Sequence, residues 1–217
     1  MTPARNRVSP RGNIIAVAGR GAWMGNRGRL HEGSGTRDIV RNYRSKTWIT
    51  CLLEFRGRYT RQWDPTHYTQ LFFLDEAVAF AAGHRPCAEC RHRDYNTYRQ
   101  AWQQSHGGAM PYAKDMDTIL HRERTRGPHP MPWSSLPAGV FVETSDGPAV
   151  VADDQLALFD EQAYTYTRRL ARPVSGNASV LTPRSNVAVL QAGYPVQIDQ
   201  SGLGSPSRGR IASQGLA

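Results

Sequence analysis

The chain has 217 residues, 39% hydrophobic and 21% charged, with a mean hydropathy of −0.56, which fits one well-buried globular unit and argues against a disordered or membrane-embedded chain. No apolar run approaches the roughly 20 residues needed to cross a bilayer, and the basic start MTPARNRVSPRG leads into no secretory hydrophobic core, so a cytoplasmic protein with no membrane partner is expected. The net charge of +9 is unevenly placed: residues 1–61 hold 13 Lys/Arg against 3 Asp/Glu, and residues 62–217 hold 14 against 15.

A basic cluster of this kind is what a surface meeting phosphates shows, because neutralising phosphates releases condensed counterions. Of the 27 basic residues 25 are Arg, whose planar fork suits phosphate, although codon usage in a GC-rich genome gives the same bias. Nucleic acid, DNA or RNA, is therefore the expected partner class.

In chain order, residues 1–12 and 200–217 are rich in Gly, Ser, Pro and Arg without periodicity and read as flexible tails. Residues 13–18 form a short β-prone run. Residues 19–35 hold six glycines, three arginines and one histidine and read as a loop. WITCLLEF has strand chemistry, and the RGR at 56–58 is positioned to turn it back into YTRQW as a hairpin, with Ile49, Cys51, Leu53 and Phe55 on one face. Residues 69–73 read as a further strand. Asp75 is placed to cap a short helix, EAVAFAA, that Gly83 ends in the left-handed conformation.

Beyond the cysteine turn, residues 91–105 set Tyr95, Tyr98 and Trp102 at helical spacing, an aromatic stripe for core packing. Residues 114–126 read as a third helix, closed by GPHPMPW. After Pro137 the pattern changes to the short alternating strands GVFVE, PAVVA and AYTYTRRL. In the final unit Thr182 is expected to cap a helix, Pro183 to open it and Gly193 to stop it. The whole is expected to be α+β, a single compact domain with an antiparallel sheet, short helices and a zinc-knuckle-like CxxC turn. Its working parts are a basic loop, hairpin and metal-binding region at 13–135 and a β-rich part of the same unit at 136–199.

Three cysteines, Cys51, Cys87 and Cys90, do not make a secreted disulfide framework, and in a reducing compartment a close pair points to metal or redox chemistry. Cys87 and Cys90 lie two residues apart on a turn between two helices, a spacing at which two thiolates bite one zinc ion. Cys51 is the best third ligand, although it also suits a buried apolar position beside Ile49 and Leu53. For the fourth ligand His31, His67, His92 and His121 are available, and His31, which ends the glycine-rich loop, is preferred. A thioredoxin-like redox pair is the rival reading, but here a capped helix and Gly83-His84-Arg85-Pro86 precede the pair rather than a strand of a βαβ unit.

The segment LFFLDEAVAFAAGHRPCAECR, 21 residues in length, resembles the second half of the Ada-type metal-binding domain, which carries methylphosphotriester repair of DNA. The likeness rests on Gly83, Arg85, Pro86, Cys87 and Cys90, and it implies that Cys87 and Cys90 ligate zinc. That family's upstream Cys-x-x-x-Cys, which includes the methyl acceptor, is missing, and only Cys51 is available in its place. Since the reactive zinc thiolate is the nucleophile of alkyl transfer, the resemblance implies a knuckle rather than that activity. The chain as a whole also resembles a bacterial family of no assigned activity with RGxxMGNRGxLH, LFFLDEA…GHRPCAECR, LHxER and LTPxSxVAxLxAGY segments, here at residues 20–31, 71–91, 120–124 and 181–194.

Two further constellations complete the reading. Asp117 and His121 are four residues apart with Arg124 three further on, along one helical face, a spacing that suits an Asp orienting a His for acid–base work. Such helices are also commonly solvated and laced with weak ion pairs. Arg20, Arg27 and Arg29, in the glycine-rich loop, are placed as forks for phosphate, in a pattern that is neither a Walker nor a dinucleotide fingerprint. The leading expectation is a zinc-stabilised nucleic-acid-binding protein, with a role related to DNA repair. Its competitors are an enzyme acting on nucleic acid or a phosphorylated substrate through Asp117, His121 and Glu123, and a non-catalytic regulatory or interaction protein. Convergence of Arg20, Arg27 and His121 on one cleft would favour the enzyme.

Overall fold

The computed structural model describes residues 2–32, 37–58 and 61–201. The expected tail at 200–217 lies outside these residues beyond Ser201. Among the described residues two six-stranded sheets and four α-helices make an α+β fold. The first sheet is built from β1 (Arg5–Val8), β2 (Ile14–Ala16), β3 (Trp23–Asn26), β4 (Ile49–Cys51), β5 (Leu71–Phe73) and β6 (Arg85–Pro86), in the order β2-β1-β5-β3-β4-β6. It is mixed, since β1 runs parallel to β5 and β4 parallel to β6.

The second sheet is antiparallel throughout. It comprises β7 (His129–Pro132), β8 (Phe141–Thr144), β9 (Gly147–Ala152), β10 (Gln155–Asp160), β11 (Thr165–Ala171) and β12 (Asn177–Val180), in the order β11-β10-β9-β8-β12-β7. Its alternation sorts two cores. Val142, Ala149, Val151 and Leu156 pack with Tyr98, Trp102, Met116, Leu120, Val187 and Leu190 of the helices α2 (His92–His106), α3 (Ala113–Arg124) and α4 (Arg184–Gln191). Phe141, Val150, Ala157 and Phe159, one residue out of phase, pack with Val8, Leu71, Phe73 and the alanines of α1 (Glu76–Ala81). The period of two along each strand thus buries both faces of this sheet, helices on one side and the first sheet on the other.

Four local expectations are revised. The expected tail at 1–12 is not free over its described residues, because Arg5–Val8 pairs with β2 on one side and β5 on the other, burying Asn6 and Val8. The glycine-rich segment carries β3, held between β4 and β5. Its Gly25 is required by packing: a Cβ there would stand 2.1 Å from the Ile49 carbonyl oxygen. The hairpin across 56–58 is not found among the described residues: β4 ends at Cys51 and pairs with β3 and β6, and Tyr59 and Thr60 of the expected return arm lie outside the described residues. Thr182 does not cap α4; its hydroxyl accepts the Phe141 amide at 2.9 Å.

Asp75 does cap α1, accepting from the Val78 amide at 2.8 Å, and Gly83 follows with φ +81°. That left-handed glycine also has no room for a side chain, because its Cβ would meet Arg124 Cδ at 2.6 Å. The turn is what delivers His84, Arg85 and the cysteines to the sheet edge. Among the described residues no helix is long and apolar enough to cross a membrane.

Candidate metal centre

Strand register assembles the cysteines. In the parallel β4–β6 pair Ile49 stands opposite Arg85 and Thr50 opposite Pro86, so the next residues, Cys51 and Cys87, come side by side. The Cys87 amide donates to the Thr50 carbonyl at 2.9 Å and closes that pairing. The chain then turns, Arg91 donating back to the Cys87 carbonyl at 3.2 Å, which returns Cys90 to the same place at the start of α2. The three Sγ atoms lie within 4.8 Å of one another, with Cys51 and Cys87 buried and Cys90 half-buried.

The three thiols interact so that Cys87 alone is held toward thiolate, while Cys51 and Cys90 are pushed up. Hydrogen bonding to Cys87 and Cys90, then burial, pushes the Cys51 thiol well above its ordinary pKa. Cys87 is held well below its ordinary value by the thiols of Cys51 and Cys90. The Glu89 amide adds an N–H···S contact of 3.4 Å to Cys87, and the amide of Leu52 lies against Cys90. Backbone donors aimed at sulfur favour thiolate, the form that binds metal. The three soft donors fit a metal ion by type, number and spacing. All three cysteines also line a cleft of about 500 Å³ walled by Met24, Ile49, Leu53, Phe55 and Phe72, so an ion they held would be reached from solution.

His31 is not among these ligands. It is fully buried in another place, with Nδ1 2.7 Å from the Thr69 hydroxyl, Nε2 3.0 Å from the Asp64 carbonyl oxygen and Trp63 edge-on at 5.6 Å. Both ring nitrogens are committed to holding the loop ahead of β5. On the cleft rim Glu89 is paired with Arg58 at 2.6 Å.

The acid–base constellation is not assembled. Asp117 turns inward and takes Arg85 in a two-point pair, Nε to Oδ1 at 2.8 Å and Nη2 to Oδ2 at 2.9 Å. Glu123 accepts from the Ser185 amide and hydroxyl, both at 2.9 Å. His121 is left beside Arg124, 3.0 Å from its Nη2, with Tyr43 edge-on at 4.9 Å. Burial, Arg124 and Lys46 lower its pKa, while Asp117 and Glu123 are bonded to Arg85 and Ser185.

The three loop arginines diverge as well. Arg20 is exposed, and Arg29 donates to the Pro65 carbonyl. Arg27 is 1% exposed and reaches under the sheet to Gly12, His84 and Trp48. Arg27 and His121 do meet around Trp48, but Arg20 is not with them. Sequence reasoning passed over Trp48 and His84, whose rings lie 5.2 Å apart; the one available signal was that each stands three residues before a cysteine. No family model, curated protein or solved structure matches the chain.

Proposed function

We propose that this is a cytoplasmic zinc protein that binds nucleic acid, with Cys51, Cys87 and Cys90 holding the ion. The observation that carries the metal is the gathering of all three of the chain's cysteines within 4.8 Å, Cys51 at the end of β4 and Cys87 and Cys90 on the turn between β6 and α2, two segments far apart in sequence. Zinc is favoured over an iron–sulfur cluster because such clusters take four cysteines as a rule, whereas zinc accepts three protein ligands and an exchangeable fourth. The Ada-type resemblance of residues 71–91 supports the same ion.

The nucleic-acid half of the reading rests on the basic first 61 residues, where Arg20, Arg37, Arg44, Lys46, Arg56, Arg58 and Arg61 are all exposed. Elemental analysis and salt-dependent retention on DNA and RNA test the two halves separately. One equivalent of zinc and a retention that falls steeply with salt are expected. A folded protein with no affinity for zinc, or binding at low salt no stronger than to a neutral polymer, overturns the corresponding half.

A further inference from the structure

A second pocket, of about 450 Å³, opens at the other end of the β4–β6 pair, and Arg5, Arg11, Arg27, Trp48 and Arg124 line it. The guanidinium carbons of Arg27 and Arg124 lie 3.9 and 3.6 Å from the Trp48 ring centre. Arg27 donates through Nη1 to the Gly12 carbonyl at 2.9 Å and through Nε to His84 Nε2 at 3.4 Å. Arg124 donates to the carbonyls of Gly83 and Lys46, each at 2.8 Å. Every one of these acceptors is neutral.

Two donors remain. Arg27 Nη2 and Arg124 Nε are buried and have no partner among the described residues. No described carboxylate forms an ion pair with either guanidinium, in contrast to Arg85 with Asp117 and Arg91 with Glu76. The two carboxylates that line the pocket are engaged elsewhere, Glu123 by Ser185 and Glu143 by Arg11. Burial lowers the pKa of both Arg27 and Arg124 to about 9, for Arg27 with repulsion from Arg124, so both stay charged at neutral pH. His84 is pushed the other way, to the neutral form, by burial and the same two arginines.

Two like charges on opposite faces of one indole, Arg27 fully buried and Arg124 half-buried, are costly without a counter-ion, and an anion at the edge of the ring, within reach of both, offsets both terms at once. We infer that the Arg27–Trp48–Arg124 pocket binds the phosphoryl dianion of a phosphomonoester, with Arg27 Nη2 and Arg124 Nε as its buried donors and the Trp48 ring as the platform that fixes them. Two cations call for a doubly charged group, and planar forks match its oxygens. The pocket falls in the size range of small-molecule sites, which leaves room for an organic moiety beyond the phosphoryl group. This site is separate from the sulfur cluster and does not depend on zinc.

The test is thermal unfolding of the full chain at fixed ionic strength, with chloride replaced by inorganic phosphate or by a nucleoside 5′-monophosphate, or with the parent nucleoside added to the chloride buffer. A rise in Tm of about 2–4 °C is expected with phosphate at saturation, a larger one with the monophosphate and none with the nucleoside. Arg27→Gln and Arg124→Gln should each abolish the rise. An unchanged wild-type Tm in both phosphate and monophosphate overturns the inference without reference to any variant, and so does a rise retained in both variants. Oligonucleotides with a 5′-phosphate or a 5′-hydroxyl end separate a nucleic-acid terminus from a free metabolite as the source. Tighter binding of the phosphorylated end identifies the terminus, and equal binding leaves the free phosphomonoester.

Discussion

The two ends of the β4–β6 strand pair make opposite electrostatic demands. Where the strands begin, Trp48 and His84 sit among guanidiniums that lack a carboxylate. Where they end, Cys51 and Cys87 gather with Cys90 as three soft donors within 4.8 Å of one another. In the middle Arg85 is matched by Asp117 in a buried two-point pair. The middle is balanced and holds the fold. Each end is left with unsatisfied donors, the guanidiniums that we infer take an anion and the sulfurs that we propose take a cation, and about three residues of strand, roughly 10 Å, separate them.

The largest effect should come from the sulfur end. Chelation, or Cys87→Ser, should remove the zinc equivalent and lower stability by several kcal/mol, since structural zinc ties up roughly 10–16 kcal/mol in small zinc-finger peptides and a whole domain holds only about 5–15. Metal analysis with calorimetry on the same sample reads both losses. An unchanged melting curve with the metal gone would leave the cysteines as bystanders. The balanced middle comes next. Asp117→Ala strands Arg85 in the interior and should cost about 3–5 kcal/mol, while the double change Arg85→Met with Asp117→Leu should recover most of it. Equal denaturation midpoints for the single and double variants would show that the pair carries no such weight.

Which of these features could be read in the sequence follows from the range of the forces involved. Asp75, Gly83 and the CxxC spacing are local signals, and the turn that presents Cys87 and Cys90 is formed as they imply. The alternation of β8, β9 and β11 and the aromatic stripe of α2 are equally local, and both reach the core. β3 was hidden because Gly25 and its neighbours have poor strand propensity; only pairing on both sides makes a strand there. The spacing of Asp117 and His121 was visible, but the choice of Asp117 between His121 and Arg85 depends on a residue 32 positions away. Nothing local says that Arg27 and Arg124 share one indole.

His31 sharpens the sulfur end by what it should not do. With both ring nitrogens bonded to Thr69 and Asp64, His31→Ala should cost about 1–3 kcal/mol through the orphaned partners and leave the zinc content at one equivalent. Loss of metal from a folded His31→Ala protein would restore it as a ligand.

The smallest expected change in stability is at the arginine end, and its smallness is the point. Arg124→Gln gives up donors to the Gly83 and Lys46 carbonyls, worth about 1 kcal/mol each at the usual net value of a hydrogen bond, together with its stacking on Trp48. Against this it removes the buried charge nearest Arg27, and a Gln side chain keeps one amide to satisfy part of the site. The two sides nearly cancel, so in phosphate-free buffer the variant should unfold within about 1 kcal/mol of the wild type, as is usual for changes that strand no buried charge. A loss as large as that at Asp117 would mean that Arg124 holds the fold as Arg85 does, and the contrast between the balanced middle and this unbalanced end would collapse.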